Sequence, residues 1–201
     1  MNKTLDNYLN NSFICTKKTK DNWKANNIKV IGDIHGDFDV LIQSLKKAKV
    51  INKNHRWKGG KTHIVQLGDI LDRGGRPGVT TEVSDPMEEY KIYEFLNDLD
   101  IQAEKHGGKV HYLIGNHELM NMMGDFRYVH KNHMSNVDKR RQLFAPGGFM
   151  ANMLACHSYA VLKINDWYFC HAGLLPKHVG TKSITELNGF VRGILRGEIS
   201  G

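Results

Sequence analysis

Four short clusters in this 201-residue chain put acids, imidazoles and glycines directly after apolar runs. The first is Gly32-Asp33-Ile34-His35-Gly36. At a strand end, residues two apart project the same way, so Asp33 and His35 can reach one ion together. The flanking glycines let the backbone turn sharply and let a ligand approach. A carboxylate beside an imidazole suits iron, manganese or zinc better than calcium.

The second cluster is Gly68-Asp69-Ile70-Leu71-Asp72-Arg73-Gly74. Asp69 leaves its run as Asp33 does, and its two oxygens can bridge two cations. Asp72 could take a proton or orient a neighbouring histidine. Arg73 carries a rigid fork of donors matched to phosphate oxygens. In the third cluster, Gly115-Asn116-His117-Glu118, Asn116 offers a neutral oxygen ligand and His117 can protonate a leaving alkoxide. Glu118 suits the N-terminus of a helix beginning there. His171-Ala172-Gly173 supplies a further imidazole.

The elements that must position these residues alternate. Residues 28–34 form a β-branched-rich strand, followed by a helix in which Val40, Leu41, Leu45 and Ala48 recur at helical spacing. Residues 62–70 form a second strand, and residues 74–84 a Gly/Pro-rich loop. A helix then starts with Asp85 as cap, Pro86 in first position and Glu88 three residues after the cap; Gly107 and Gly108 stop it. Its apolar stripe is Ile92, Leu96, Leu99 and Ala103. Residues 109–114 give a third strand, and residues 158–164 and 167–171 two more, joined by an Asn165-Asp166 turn. A last helix follows the Ser183/Glu186 capping box, with Ile184, Leu187, Val191 and Ile194 on one face. The result is α/β organisation with reactive residues just past strand ends, where open α/β sheets place ligands.

Composition narrows the setting. With 40% hydrophobic and 24% charged residues the chain is ordinary globular material. No run approaches the roughly 18–20 apolar residues of a membrane span. The polar start lacks a signal-peptide core, which places the chain in a reducing, cytoplasmic setting. Cys15, Cys156 and Cys170, an odd number at wide spacing, predict no disulfide framework, with Cys156 and Cys170 as small core residues. The net charge of +7 favours anionic partners, but lysines 17–24 and 46–61 form no recognisable nucleic-acid module and read as solvated surface. His130 and His133 read as polar surface, His63 and His111 as satisfied strand residues, and Trp57, Trp167 and Tyr168 as core packing.

GDIHG, GDILDRG and GNHE in this order resemble the signature blocks of the calcineurin-like metallophosphoesterases, specifically the phosphoprotein phosphatase group. LIGNHELMNMMGDFRYV (residues 113–129), FAPGGFM (144–150) and HAGLLP look most similar to the Shewanella-like phosphatase branch. The resemblance covers residues 28–180 and implies a central β-sandwich flanked by helices, with the C-terminal part of the second sheet missing. Residues 1–27 would be a polar N-terminal arm and 28–201 the metallophosphoesterase domain. By resemblance, Asp33 and His35 hold one metal, Asp69 bridges, Asn116 and His171 hold the second, and Asp72 orients the acid His117. Arg73 binds phosphate, together with Asn116. The implied cofactors are two divalent ions, manganese first, with iron or zinc as alternatives. The implied partner is a phosphorylated protein or a small phosphate ester, with neither a membrane nor a specific nucleic acid. A nucleotide or dinucleoside-polyphosphate hydrolase, or a non-catalytic phosphate-binding remnant, are the alternatives.

Two departures from the family pattern stand out. A further histidine and a second phosphate-binding arginine normally come from beyond the HAG-type motif, and residues 174–201 supply neither a strand-end histidine nor a strand to carry one. His178 lies in the loop directly after HAGLLP. The chain therefore reads as a fragment of a longer phosphatase, or else as a short, weakened member. Ile114 also stands where the group carries an arginine before GNHE. Arg127 is the candidate to compensate.

Overall fold

The computed structural model of the chain describes residues 4–16, 20–74, 83–134 and 136–200. Most of the Gly/Pro-rich loop, and Lys17 and Lys18, lie outside these residues. In chain order the elements are α1 (Leu5–Leu9), β1 (Asn22–Trp23), β2 (Ile28–Ile31), α2 (Phe38–Lys47), β3 (His63–Gln66), α3 (Glu88–Glu104) and β4 (Lys109–Leu113). Then come α4 (Asn116–Met122), a 3-10 turn (Lys131–Met134), α5 (Val137–Phe144), α6 (Phe149–His157), β5 (Ser158–Tyr159), β6 (Leu162–Ile164), β7 (Trp167–Phe169), α7 (Pro176–Val179) and α8 (Ile184–Leu195).

β2, β3, β4 and β5 pair in that order as a parallel sheet. β1, β6 and β7 form a second sheet, with β1 parallel and β7 antiparallel to β6. Alternation along β3 shows why two layers form. Ile64 joins the core under the helices, while Val65 joins Leu113, Leu162 and Ile164 between the sheets. With both faces covered, all of β3 is buried. On the helical side Leu41, Leu45, Ile92, Leu96 and Leu99 are fully buried. Each such side chain contributes roughly 1.5–3 kcal/mol.

The helix signals hold in part. Leu41 and Leu45 face inward, but Val40 is exposed. Asp85 Oδ1 does accept from Met87 N, yet Glu88 turns away from the predicted capping box to accept from Phe38 N at 3.1 Å. Gly107, at φ +74°, ends α3 with Gly108 N bonded to Ala103 O. The Ser183–Glu186 capping box of α8 forms as expected.

Several readings are corrected. The single run 158–164 is two strands in different sheets. It crosses at Ala160–Val161, whose N–H groups both donate to Asn188 Oδ1 on α8, at 2.8 and 3.0 Å. The run carries no glycine, proline or other turn signal at the crossing, so its sequence does not display it. The Asn165 turn is present, at φ +55°, but Trp167 and Tyr168 are 68% and 54% exposed because β7 is an edge strand. Cys15 and Cys156 form a disulfide across 141 residues of sequence, which spacing alone does not reveal. That removes the cysteine argument for a reducing compartment. Cys170 is free and partly exposed instead of sitting in the core.

The segment read as an arm also packs on the domain. Tyr8 is buried against Tyr90 and Phe149, and Trp23 extends the second sheet. No helix among the described residues is long and apolar enough to cross a membrane.

Candidate active site

Three loops after β2, β3 and β4 meet at one edge of the parallel sheet. Asp69 is their hub. Its carbonyl accepts from the N–H groups of Ile34 and His35, at 3.0 and 2.9 Å, which ties the first cluster to the second. Its Oδ1 accepts from His117 N at 3.0 Å and so caps α4. Its Oδ2 lies 3.2 Å from His171 Nε2 and 3.8 Å from His117 Nε2. His35, Asp69 and Asp72 hold positive φ values of 47°, 53° and 71°. Non-glycine residues rarely adopt this region, so backbone strain collects where the reactive groups converge.

Glu118 holds that strain in place. Fully buried, it accepts from the backbone N–H groups of Asp69, Ile70, Leu71 and Gly115 and from the Tyr93 hydroxyl. Its carboxyl is pushed up by burial and by the Asp69 charge. The helix-start role predicted for it is present through Gly115, but its larger task is to lock the loop carrying Asp69 and Asp72. Gly115 has to be a glycine here: a Cβ would sit 2.1 Å from Asp69 Oδ1.

The donor set fits cations. His171 Nδ1 lies 2.8 Å from Leu67 O, which can only accept, so Nδ1 carries a hydrogen and, in the neutral ring, Nε2 presents its lone pair. That lone pair faces Asp69 Oδ2 and, at 3.1 Å, Asn116 Oδ1. Converging lone pairs repel unless a positive charge sits between them. His35 is arranged alike, its Nδ1 being 3.0 Å from Leu71 O. Among the described residues, two groups have ligand atoms close enough to hold an ion: His35, Asp69 and His117, and Asp33, Asp69 and His171. Asp69 belongs to both. Asp33 falls with His171 in this grouping, although its Oδ2 is also 3.7 Å from His35 Nε2.

His117 Nδ1 lies 2.8 Å from Asp72 Oδ2, and both are buried. Burial first, and then the nearby Glu89 charge, raise the Asp72 carboxyl. Arg73 is held by Asp37 and Glu88, each at 3.1 Å. Arg127 is exposed and paired with Asp125 two residues earlier.

Sequence reasoning missed Glu89, Asn121, His133 and Arg140. His133, read as polar surface, is buried with Nδ1 3.4 Å from Glu89 Oε1, because the 3-10 turn packs over the start of α3. Burial would raise the Glu89 carboxyl, but Arg140 and His133 outweigh it and hold it well below the usual carboxylate range. His63 and His111 are buried between the sheets, 3.1 Å apart.

The model of the calcineurin-like phosphoesterases matches residues 27–195. The chain belongs to the calcineurin-like phosphoesterase family. Among relatives of this phosphoesterase, Shewanella-like protein phosphatase 2 of Arabidopsis thaliana is 31% identical, over 87% of this chain and 53% of that protein. Shewanella-like protein phosphatase 1 of Plasmodium berghei is 32% identical, over 77% and 41% respectively. The solved cold-active protein-tyrosine phosphatase of a psychrophilic Shewanella species superposes with a TM-score of 0.71 at 29% identity, covering 88% of this phosphoesterase and 51% of that chain. The chain thus spans about half the length of the relatives it matches.

Proposed function

We propose that this phosphoesterase hydrolyses phosphate monoesters at a dinuclear centre of divalent cations, manganese first, with iron or zinc as alternatives. The observation that carries this reading is the convergence of Asp69 with His35 on one side and with Asp33 and His171 on the other, His117 of the first group being kept as the acid. Asp33, His35, Asn116 and His171 would complete the ligand set around it. When bound, two such cations supply Lewis-acid charge that polarises the phosphoryl oxygens.

The chain's own residues do the rest. Hydrogen bonds from Nδ1 to Leu71 O and Leu67 O keep the Nε2 lone pairs of His35 and His171 turned toward the centre. Asp72 fixes Nδ1 of His117, so the opposite nitrogen can give a proton to the leaving oxygen. Arg73 would bind phosphate by sharing donors now held by Asp37 and Glu88. The names of the relatives, protein phosphatase and protein-tyrosine phosphatase, support a phosphorylated protein as the substrate class, with phosphotyrosine named for the Shewanella enzyme.

The test is hydrolysis of p-nitrophenyl phosphate by the metal-loaded chain. Activity that requires manganese, two bound ions per chain, and loss of both in Asp69→Asn are the expected results. A folded, manganese-loaded chain without activity sinks the proposal.

A further inference from the structure

The two carboxylate oxygens of Asp72 have different partners. Oδ2 meets His117 Nδ1, while Oδ1 accepts from Asn121 Nδ2 at 2.9 Å and faces Arg140 Nη2 at 3.5 Å. An amide has an oxygen end and an NH2 end, so Asn121 can serve Oδ1 only if its orientation is fixed. Arg140 fixes it. Its Nε donates to Asn121 Oδ1 at 2.8 Å, and a guanidinium, having only donors, admits no flipped amide.

Arg140 is itself anchored. Nη1 donates to Glu89 Oε2 at 2.6 Å, and the guanidinium lies over the rings of Phe144 and Phe126 at 5.0 and 5.8 Å. Glu89 Oε1 then accepts from the backbone N–H of Asp72 at 2.7 Å. The circuit closes: Asp72 carboxylate, Asn121, Arg140, Glu89, Asp72 backbone. All four residues are 0–1% exposed. A buried, fully connected network of this kind rigidifies what it touches, and Asp72, at φ +71°, requires such support.

We propose that Arg140 is a positioning residue for proton transfer: by orienting Asn121 it aims Asp72 Oδ2 at His117 and so aims the His117 proton at the leaving oxygen. This rests on the phosphomonoesterase reading above. The planar fork is essential, because a lysine ammonium cannot serve Asn121 and Glu89 in fixed directions at once.

The discriminating readout is the leaving group. p-Nitrophenolate departs with little help, whereas phenolate needs the proton. With the manganese-loaded chain, Arg140→Lys is expected to cut kcat for phenyl phosphate about ten-fold or more while KM stays within about two-fold. The loss on p-nitrophenyl phosphate should be several-fold smaller, and metal content should match the wild type. Equal losses on both substrates, or none, overturn the positioning role. Asn121→Ala leaves the Arg140–Glu89 pair in place and must show the same selectivity, which decides the matter if Arg140→Lys does not fold.

A second measurement needs no turnover. In the zinc-loaded wild type the His117 Nδ1 proton held against Asp72 should give a downfield proton resonance. That resonance should shift or vanish in Arg140→Lys or Asn121→Ala, and its persistence unchanged overturns the inference. A wild type inactive on both substrates condemns the phosphatase reading. An active wild type with unselective variants condemns only Arg140.

Discussion

Glu118 Oε2 accepts from Gly115 N at 2.7 Å and from Asp69 N at 2.9 Å, so one buried carboxylate joins the loops after β3 and β4. The two loops are held together by that shared side chain. Side chains at the ends of these loops inherit that order.

Glu118→Gln keeps the size but replaces one accepting oxygen with a donor that faces N–H groups. Hydrogen bonds to charged groups contribute about 1.5–3 kcal/mol each, and a buried donor left facing donors adds a penalty. Urea titration should show a loss of roughly 3 kcal/mol or more, together with weakened metal binding. A variant with unchanged stability and metal content would contradict the locking role.

Gly115→Ala directs a methyl group at Asp69 Oδ1 and at Asp69 N, 2.5 Å away. Overpacking of this kind costs typically about 1–3 kcal/mol, and relief requires Asp69 to move. Metal stoichiometry measured on purified protein should fall below that of the wild type. Full retention of metal would show that the loop can yield.

His111 is pulled down to about 3 by burial, by His63 and by Lys109. Its folded pKa therefore lies below the unfolded value of about 6.5, and the unfolded chain takes the proton first. Stability is fully present above pH 6.5 and is lost as pH falls toward 3. His63, lowered mainly by burial, adds to the same slope. Denaturation midpoints between pH 7 and pH 4 should fall in the wild type and flatten in His111→Phe. Parallel slopes would exclude the pair as the cause.

Reducing Cys15–Cys156 should lower the denaturation midpoint, by about 2–4 kcal/mol in stability. The bond closes 141 residues and ties the segment carrying Tyr8 and Phe13 to α6. Thermal melts with and without dithiothreitol measure the effect. Cys15→Ser should melt at the reduced position in both, and a wild type indifferent to reductant would refute the cross-link.

The parts of the site legible in the sequence were those written locally. Asp33, His35, Asp69, Asp72, Asn116 and His117 lie within short motifs after strands; spacing relates the members of each motif, and the resemblance to the phosphoesterase blocks implies that the motifs share one site. Glu89 and Arg140 were not legible, because they reach Asp72 from 17 and 68 residues away. No local pattern marks a charge that becomes fully buried. The strand pattern likewise conceals the crossing at Ala160–Val161, since no turn residue separates the two halves of the run. Trp167 and Tyr168 misled for the opposite reason: aromatic character favours burial, but an edge strand leaves one side open.

That crossing also sets an order of events. β1 meets β6 only after Asn22 and Lys163 come together, and the amide that holds the crossing arrives on α8. Long loops must close before such contacts give anything back. We therefore expect β1 to join late, after the local β6–β7 hairpin and the strands beneath the helices. Truncating Asn188 should leave the refolding rate nearly untouched and speed unfolding, a split that stopped-flow measurements resolve. On that expectation, the Asn188 amide bears on how long the fold lasts more than on how fast it forms.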